Sequence, residues 1–325
     1  MKQTETLQAP WVEKYRPQTL REIIGQEAIT PRLQKYVEKR DLPNMMFAGH
    51  AGIGKTSAAI ALAKDLFGEQ YERNFLELNA SDSRGIDVVR STIKEFARTL
   101  AFNADFKIIF LDESDALTAD AQQALRRTME KYTKTCRFIL SCNFSSRIID
   151  PIQSRCVVFR FKPLSSKELT KQIKHIAEKE KIEIDEEAVN AIIYVCNGDL
   201  RKAINTLQAS STLDQKVTEK IVLSVANKAK PKEIKELLNE ALEGKFMEAR
   251  EKLDTLMLEN GLSGEDIIMQ LHQELIEWPE EELSSQKKIH LIDKIGEADF
   301  RLVEGANERI QLEALIAHLC HIGKK

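Results

Sequence analysis

An eight-residue stretch, Gly49-His50-Ala51-Gly52-Ile53-Gly54-Lys55-Thr56, fits the pattern G-x-x-x-x-G-K-[ST] and constrains the fold more than any other part of the chain. Glycines at these spacings let the backbone close tightly, so that successive N–H groups point inward at a phosphate chain. Such a loop needs a buried strand before it and a helix after it, whose positive N-terminal end faces the anion. Asn44-Met45-Met46-Phe47-Ala48 reads as the strand, and Ser57 to Leu66 as an alanine-rich helix. In that setting Lys55 points at the outer phosphates of a nucleotide, and Thr56 offers its hydroxyl to Mg²⁺.

From Asn44 to Leu164, apolar runs alternate with amphipathic stretches. The expected strands are Met45–Ala48, Phe75–Asn79, Lys107–Asp112, Arg137–Cys142 and Val157–Phe161. This is the rhythm of a parallel sheet covered by helices, in which ligands gather at the carboxyl ends of strands. The run Lys107 to Leu111 stops at Asp112-Glu113-Ser114-Asp115. Asp112 at a strand tip suits Mg²⁺ through its water shell, and Glu113 suits the water that attacks a terminal phosphate.

The next strand ends at Asn143. Its amide either bonds the terminal phosphate and the attacking water or simply caps a turn. Arg155, in Ser154-Arg155-Cys156, reads as a surface charge or, if the protein forms a ring, as a finger onto a neighbour's nucleotide. Trp11 to Pro17 reads as an extended segment, with packing and adenine-wrapping (through Val12, Arg16 and the later Ile24) both open.

A boundary follows Pro163, where Ser165 and Glu168 are spaced as a capping box. From there to about Lys228 the pattern is wholly helical, a compact lid. Arg201, in the first turn of its helix, opposes the helix dipole unless an anion compensates it. Pro231 opens a third helical region with apolar stripes (Ile234, Leu237, Leu238; Ile267, Ile268, Leu271) and no cluster of catalytic residue types, which suits packing or oligomerisation. The expected fold is thus α/β: a parallel-sheet domain over 1–164, an all-helical lid over 165–229 and an all-helical collar over 230–325.

Composition narrows the class. With 42% apolar, 30% charged and 6% aromatic residues, the chain reads as soluble and helix-rich. Unbroken aliphatic and aromatic runs such as Ile108 to Leu111 are far too short to cross a bilayer, and residues 1–8 lack the apolar core of a signal peptide. A cytoplasmic protein without a membrane partner is expected. Five scattered cysteines without C-x-x-C spacing argue against a zinc module or a disulfide framework. Residues Lys230 to Glu282 hold 6 basic and 15 acidic side chains, a balance of −9 against +6 elsewhere. Any polyanion is therefore met by the N-terminal two-thirds.

Together, Trp11 to Pro17, Gly49 to Thr56, Leu111 to Asp115, Ser141-Cys142-Asn143, Ser154-Arg155-Cys156 and Gly198-Asp199-Leu200-Arg201 resemble the small subunits of replication factor C, the sliding-clamp loaders of archaea and eukaryotes. The resemblance covers essentially the whole chain and is greatest to archaeal members. It implies an AAA+ ATPase using ATP and Mg²⁺ in a pentamer with a large subunit and other small subunits. Such an assembly opens the clamp, grips a primed double-stranded/single-stranded DNA junction, and releases both on hydrolysis.

By the same resemblance the nucleotide is held by Val12, Arg16, Ile24, Gly49, His50, Ala51, Gly52, Ile53, Gly54, Lys55, Thr56 and Ser57. Thr56 and Asp112 ligate the metal, Glu113 is the hydrolytic base, Asn143 and Arg201 sense the γ-phosphate, and Arg155 acts on the next subunit. Arg84, Arg90 and Lys94 are expected on DNA, as are Arg126 and Arg127 in a second basic patch. Leu100, Phe102 and Phe106 are expected in a groove of the clamp. Two other readings stay beside this one: a structural subunit that binds ATP with little hydrolysis, and another DNA-acting AAA+ ATPase.

The loop departs from the family pattern. His50-Ala51 stands where two prolines are usual and Ile53 where a threonine is usual, so a looser loop is expected. Ser114 replaces a usual alanine.

Overall fold

The computed structural model describes residues 9–81, 86–214, 216–281 and 283–323, with 86–90 described by backbone alone. The chain divides into two compact units, Met1–Ile182 with Cys196–Gln208, and Glu183–Val195 with Ala209–Lys325.

The first unit begins with α1 (Trp11–Lys14) and α2 (Thr30–Lys39), followed by β1 (Met45–Ala48) and α3 (Lys55–Phe67). After α4 (Tyr71–Asn74) come β2 (Phe75–Asn79), α5 (Ile86–Arg98), β3 (Lys107–Asp112) and α6 (Ala119–Lys131). Then follow β4 (Cys136–Cys142), α7 (Asp150–Gln153), β5 (Val157–Arg160) and α8 (Ser166–Glu180). The five strands are parallel in the order β2-β3-β4-β1-β5. Because helices cover both faces, the central strands are apolar throughout rather than alternating, and Phe47, Phe110, Phe138 and Phe159 are fully buried.

Strand order explains where a ligand can enter. After β1 the chain crosses to β2 at one edge, whereas β5 lies on the other side of β1. The loop after β1 therefore opens at the point where the order reverses, the place such sheets leave a crevice. Helix α3 packs close beneath it, with Ala58, Ala59, Ala61 and Ala63 buried.

Trp11 to Pro17 is not extended. One helical turn fits between two prolines: the N–H groups of Glu13 and Lys14 donate to Pro10 O, and Pro17 prevents further growth. Side chains anchor the turn, since Lys14 Nζ and Tyr15 Oη both donate to Glu180 Oε1 at 2.6 Å. Burial, with the Glu180 carboxylate behind it, pushes the Tyr15 phenol up to about 12. At the start of α8 the capping box of Ser165 and Glu168 is present as expected.

Helices α9 (Glu186–Cys196) and α10 (Leu200–Leu213) contribute to both units. The second unit adds α11 (Glu219–Val225), α12 (Pro231–Leu242), α13 (Phe246–Asp254), α14 (Gly264–Glu277), α15 (Ser285–Val303) and α16 (Glu308–Gly323). The expected stripes close into one core, with Ile234, Leu237, Leu238, Ile267, Leu271 and Leu275 all buried. The stretch 165–228 is not wholly helical. Two-residue strands β6 (Glu183–Ile184) and β7 (Lys216–Val217) pair in parallel and bury Val217. Among the described residues, no helix is long and apolar enough to cross a membrane.

Candidate functional site

The loop 49–56 wraps the ammonium of Lys55. Its Nζ donates to Gly49 O (2.5 Å), His50 O (2.6 Å) and Asn143 Oδ1 (3.0 Å). The side chain is only 7% exposed, and burial lowers its pKa while the Asp112 carboxylate opposes the shift. Beside it Thr56 Oγ1 donates to Asp112 Oδ2 at 2.7 Å, so the loop hydroxyl and the tip of β3 are already in contact. These are two hard oxygen donors of the kind a divalent cation takes.

Glu113 follows in the left-handed region (φ 50°) with its side chain exposed to the same cavity. Ser114 is fully buried and donates to Leu111 O at 2.7 Å, which pins the turn that presents Glu113. The replacement of the usual alanine thus adds a hydrogen bond without adding bulk outside.

One cavity collects these groups. Lys55, Thr56 and Ser57 line it together with Asp112, Glu113 and Asn143. Val12, Tyr15, Arg16 and Pro17 also line it, as do Leu200, Arg201 and Ile204 from α10. Of the loop, Ala51, Gly52 and Gly54 reach it. Ile24, Gly49, His50 and Ile53 do not have side chains or backbone lining the cavity. Gly49 and His50 act through their carbonyls on Lys55, and Ile53 is 2% exposed beneath the loop.

Several contributors were not singled out by the sequence. Asp115 Oδ2 accepts from the backbone N–H groups of Asn143 (3.2 Å) and Phe144 (3.1 Å), and so fixes the turn that carries Asn143. Its signal was present as the third carboxylate of Asp112-Glu113-Ser114-Asp115. Gln26 is buried and donates to Ile53 O and Lys162 O while accepting from Lys162 N–H, tying the loop to the chain beyond β5. Tyr15, Pro17, Leu200 and Ile204 are apolar or aromatic wall residues whose role depends on three-dimensional neighbours.

The loop is also tied to α10. Leu200 N–H donates to Gly52 O at 3.1 Å, and Asp199 caps α10 through Lys202 N–H. A Cβ at Gly52, whose φ is +71°, would lie 1.8 Å from Asp199 Oδ1. Gly52→Ala is therefore expected to cost about 1–3 kcal/mol of unfolding free energy through overpacking. A denaturant titration checks this, and Asp199→Ala in the same chain should return part of the loss. No recovery would mean that the clash is not the cause.

The remaining candidates lie elsewhere. Arg155 is exposed outside the cavity and pairs with Glu130 at 2.7 Å, a carboxylate it shares with Arg126. Lys94 and Arg127 are exposed on α5 and α6. Arg84 lies outside the described residues, as does the side chain of Arg90. Leu100 is 81% exposed and Phe102 43%, held by reciprocal hydrogen bonds between Asn74 and the Phe102 backbone. Phe106 does not belong to that exposed set. It is 5% exposed, edge-on to Phe67 with Arg137 over its ring, because it leads directly into buried β3.

A parallel sheet with a phosphate loop at its reversal point and a carboxylate pair on the adjacent strand tip defines an ATPase of the AAA class. The profile described as "ATPase family associated with various cellular activities (AAA)" matches residues 45–164. The profiles "RFC1-like, AAA+ ATPase lid domain" and "Replication factor C C-terminal domain" match 166–220 and 229–318. The replication factor C small subunit of Methanococcus maripaludis is 57% identical over 314 residues, covering 96% of this chain and 99% of its own. That of Archaeoglobus fulgidus is 57% identical over 316 residues, covering 97% and 98%. The chain belongs to the replication factor C small subunit family. A structure of the Thermotoga maritima RuvB Holliday junction branch migration motor has a TM-score of 0.55 at 20% identity, over 79% of this chain and 91% of that one. Its likeness is one of fold.

Proposed function

We infer that the chain is an ATP-hydrolysing subunit of a clamp loader, working with a large subunit and other small subunits to open a sliding clamp and load it at a primed DNA junction. The observation that carries this reading is the convergence of Lys55, Thr56, Asp112, Glu113, Asn143 and Arg201 on one cavity. Thr56 and Asp112 fit Mg²⁺, and the three oxygens now held by Lys55 Nζ stand in for phosphate oxygens of ATP. Bound Mg²⁺–ATP would supply the scissile phosphoanhydride and a cation that offsets charge on its phosphates.

This chain's residues do the rest. The Glu113 carboxylate takes a proton from the attacking water, and the Asn143 amide orients that water against the terminal phosphate. Asp115 holds the Asn143 turn in place. Arg201 brings positive charge from α10, while Val12 and Arg16, which line the same cavity, are assigned to the base. Arg155 works on the neighbouring subunit's nucleotide.

Outside the cavity, Lys94, Arg126 and Arg127 are assigned to the DNA backbone, and Leu100 with Phe102 to the clamp. Ile289, Ile292, Phe300 and Val303 stand exposed along α15 at spacings that share one helical face, and this stripe is assigned to contact between subunits.

The test is ATP turnover by the assembled complex with and without primed DNA and clamp. Stimulation by both together is the expected result. A correctly assembled complex whose turnover ignores them would sink the reading.

A further inference from the structure

Helices α5 and α6 carry basic side chains, but they also enclose a space. A cavity of about 520 Å³ lies between them, within the size range of small-molecule sites. Its floor is apolar: Ile93, Leu111 and Leu125 are each under a tenth exposed, and Tyr132 and Ala124 form the sides. Four cations line it as well, Lys94, Arg98, Arg127 and Lys131, and among the described residues no carboxylate lines it. Among the described residues none of the four pairs with an acidic side chain; the nearby carboxylate Glu130 is taken by Arg126 and Arg155.

Like charges gathered around an apolar hollow repel one another unless an anion is shared between them. An occupant must therefore combine a flat, apolar body with more than one negative charge a few ångströms away. A fatty acid brings a single charge to four cations, and an acidic peptide brings charge without a flat body. A base within a nucleic-acid strand brings both, since its face stacks on an aromatic ring while the phosphates on either side meet cations.

We propose that this cavity takes up one unpaired base of a DNA strand, with the flanking phosphates on Lys94, Arg98, Arg127 and Lys131. The inference rests on the DNA-binding part of the reading above and adds to it, because contact with the backbone alone needs no cavity. Stacking against Tyr132 and the aliphatic floor favours any base over none, rather than one base over another.

The experiment compares two probes on the assembled complex: a short oligothymidylate, and an oligomer of equal length built from abasic tetrahydrofuran units with the same phosphates. The base-bearing strand is expected to bind about 5-fold to 100-fold more tightly, the range of one stacked base. Ala124→Trp fills the hollow without touching the ATP site. It should bring oligothymidylate down to the abasic level and leave abasic binding and ATP binding unchanged. Equal affinities in the unsubstituted complex, or a base preference that survives Ala124→Trp, would overturn the proposal.

Should Ala124→Trp fail to fold, photo-crosslinking of the unsubstituted complex to 5-iododeoxyuridine oligomers replaces it. A crosslink at Tyr132 is expected, and crosslinks found solely elsewhere count against the site. Salt-sensitive binding of the abasic oligomer separates the two levels of argument. Its absence would remove the DNA reading itself, whereas its presence without a base preference would remove the cavity alone.

Discussion

Arg155→Ala is expected to leave ATP binding in its own subunit nearly unchanged while slowing hydrolysis in the assembled complex by about 10³-fold or more at the neighbouring site. The geometry motivates both halves. The guanidinium lies outside the cavity lined by its own Lys55 and Glu113, so nothing in that subunit's nucleotide site is lost. It sits on an exposed turn after α7, where Pro151 O and Glu130 hold it. A surface pair of this kind contributes little to folding, so the variant should remain folded. A guanidinium that reaches a phosphate in the transition state neutralises developing charge that water would otherwise screen, which is why so large a factor rides on one residue. Equilibrium ATP binding and single-turnover hydrolysis, measured side by side, decide the matter. Collapse of binding within the substituted subunit would refute a role in trans.

The second large effect is expected at Lys55. Lys55→Ala should weaken ATP binding by about 10²-fold or more, because charge-assisted hydrogen bonds to phosphate are each worth about 1.5–3 kcal/mol and the ammonium makes more than one. Its three present acceptors show that the ammonium already sits where several oxygens converge. The partial burial that lowers its pKa also keeps water from competing. Titration with a fluorescent ATP analogue gives the readout, with circular dichroism to verify the fold. An affinity within a few-fold of the parent would mean that the backbone N–H groups of the loop, not the lysine, hold the phosphates.

Much of this arrangement was legible from residue patterns, and the failures have identifiable causes. All five strands of the large sheet are where the apolar runs predict, with ends moved by a residue at β4 and β5. Buried parallel strands leave long apolar signatures, so they are hard to miss. The pair β6 and β7 leaves none, since two residues are too few for a period. At Trp11 the reading of Pro17 as the end of an extended segment does not hold, because the six residues between Pro10 and Pro17 leave room for one turn of helix. The family resemblance assigns Phe106 to the clamp with Leu100 and Phe102, whereas six residues are enough to pass from an exposed loop into the core.

The loop 49–56 shows a subtler limit. Without the usual prolines a looser loop is expected before ATP arrives. The structure supplies restraint from afar, through Gln26 on Ile53 O, Leu200 N–H on Gly52 O, and Phe161 close against Gly49. The δ-methyl of Ile53 lies close against Gly49, a contact that a threonine, which has no δ carbon, could not make.

The contact between Gly52 and Asp199 also limits how such sequences can be recombined. Two positions almost 150 residues apart share one small volume, so each sets the size the other tolerates. A chimera that takes the segment containing residue 199 from a relative inherits that relative's steric allowance at residue 52. Grafts with a larger side chain at position 199 should fail unless the loop is exchanged with them, and compensating changes recovered by selection should fall at these two positions before any others.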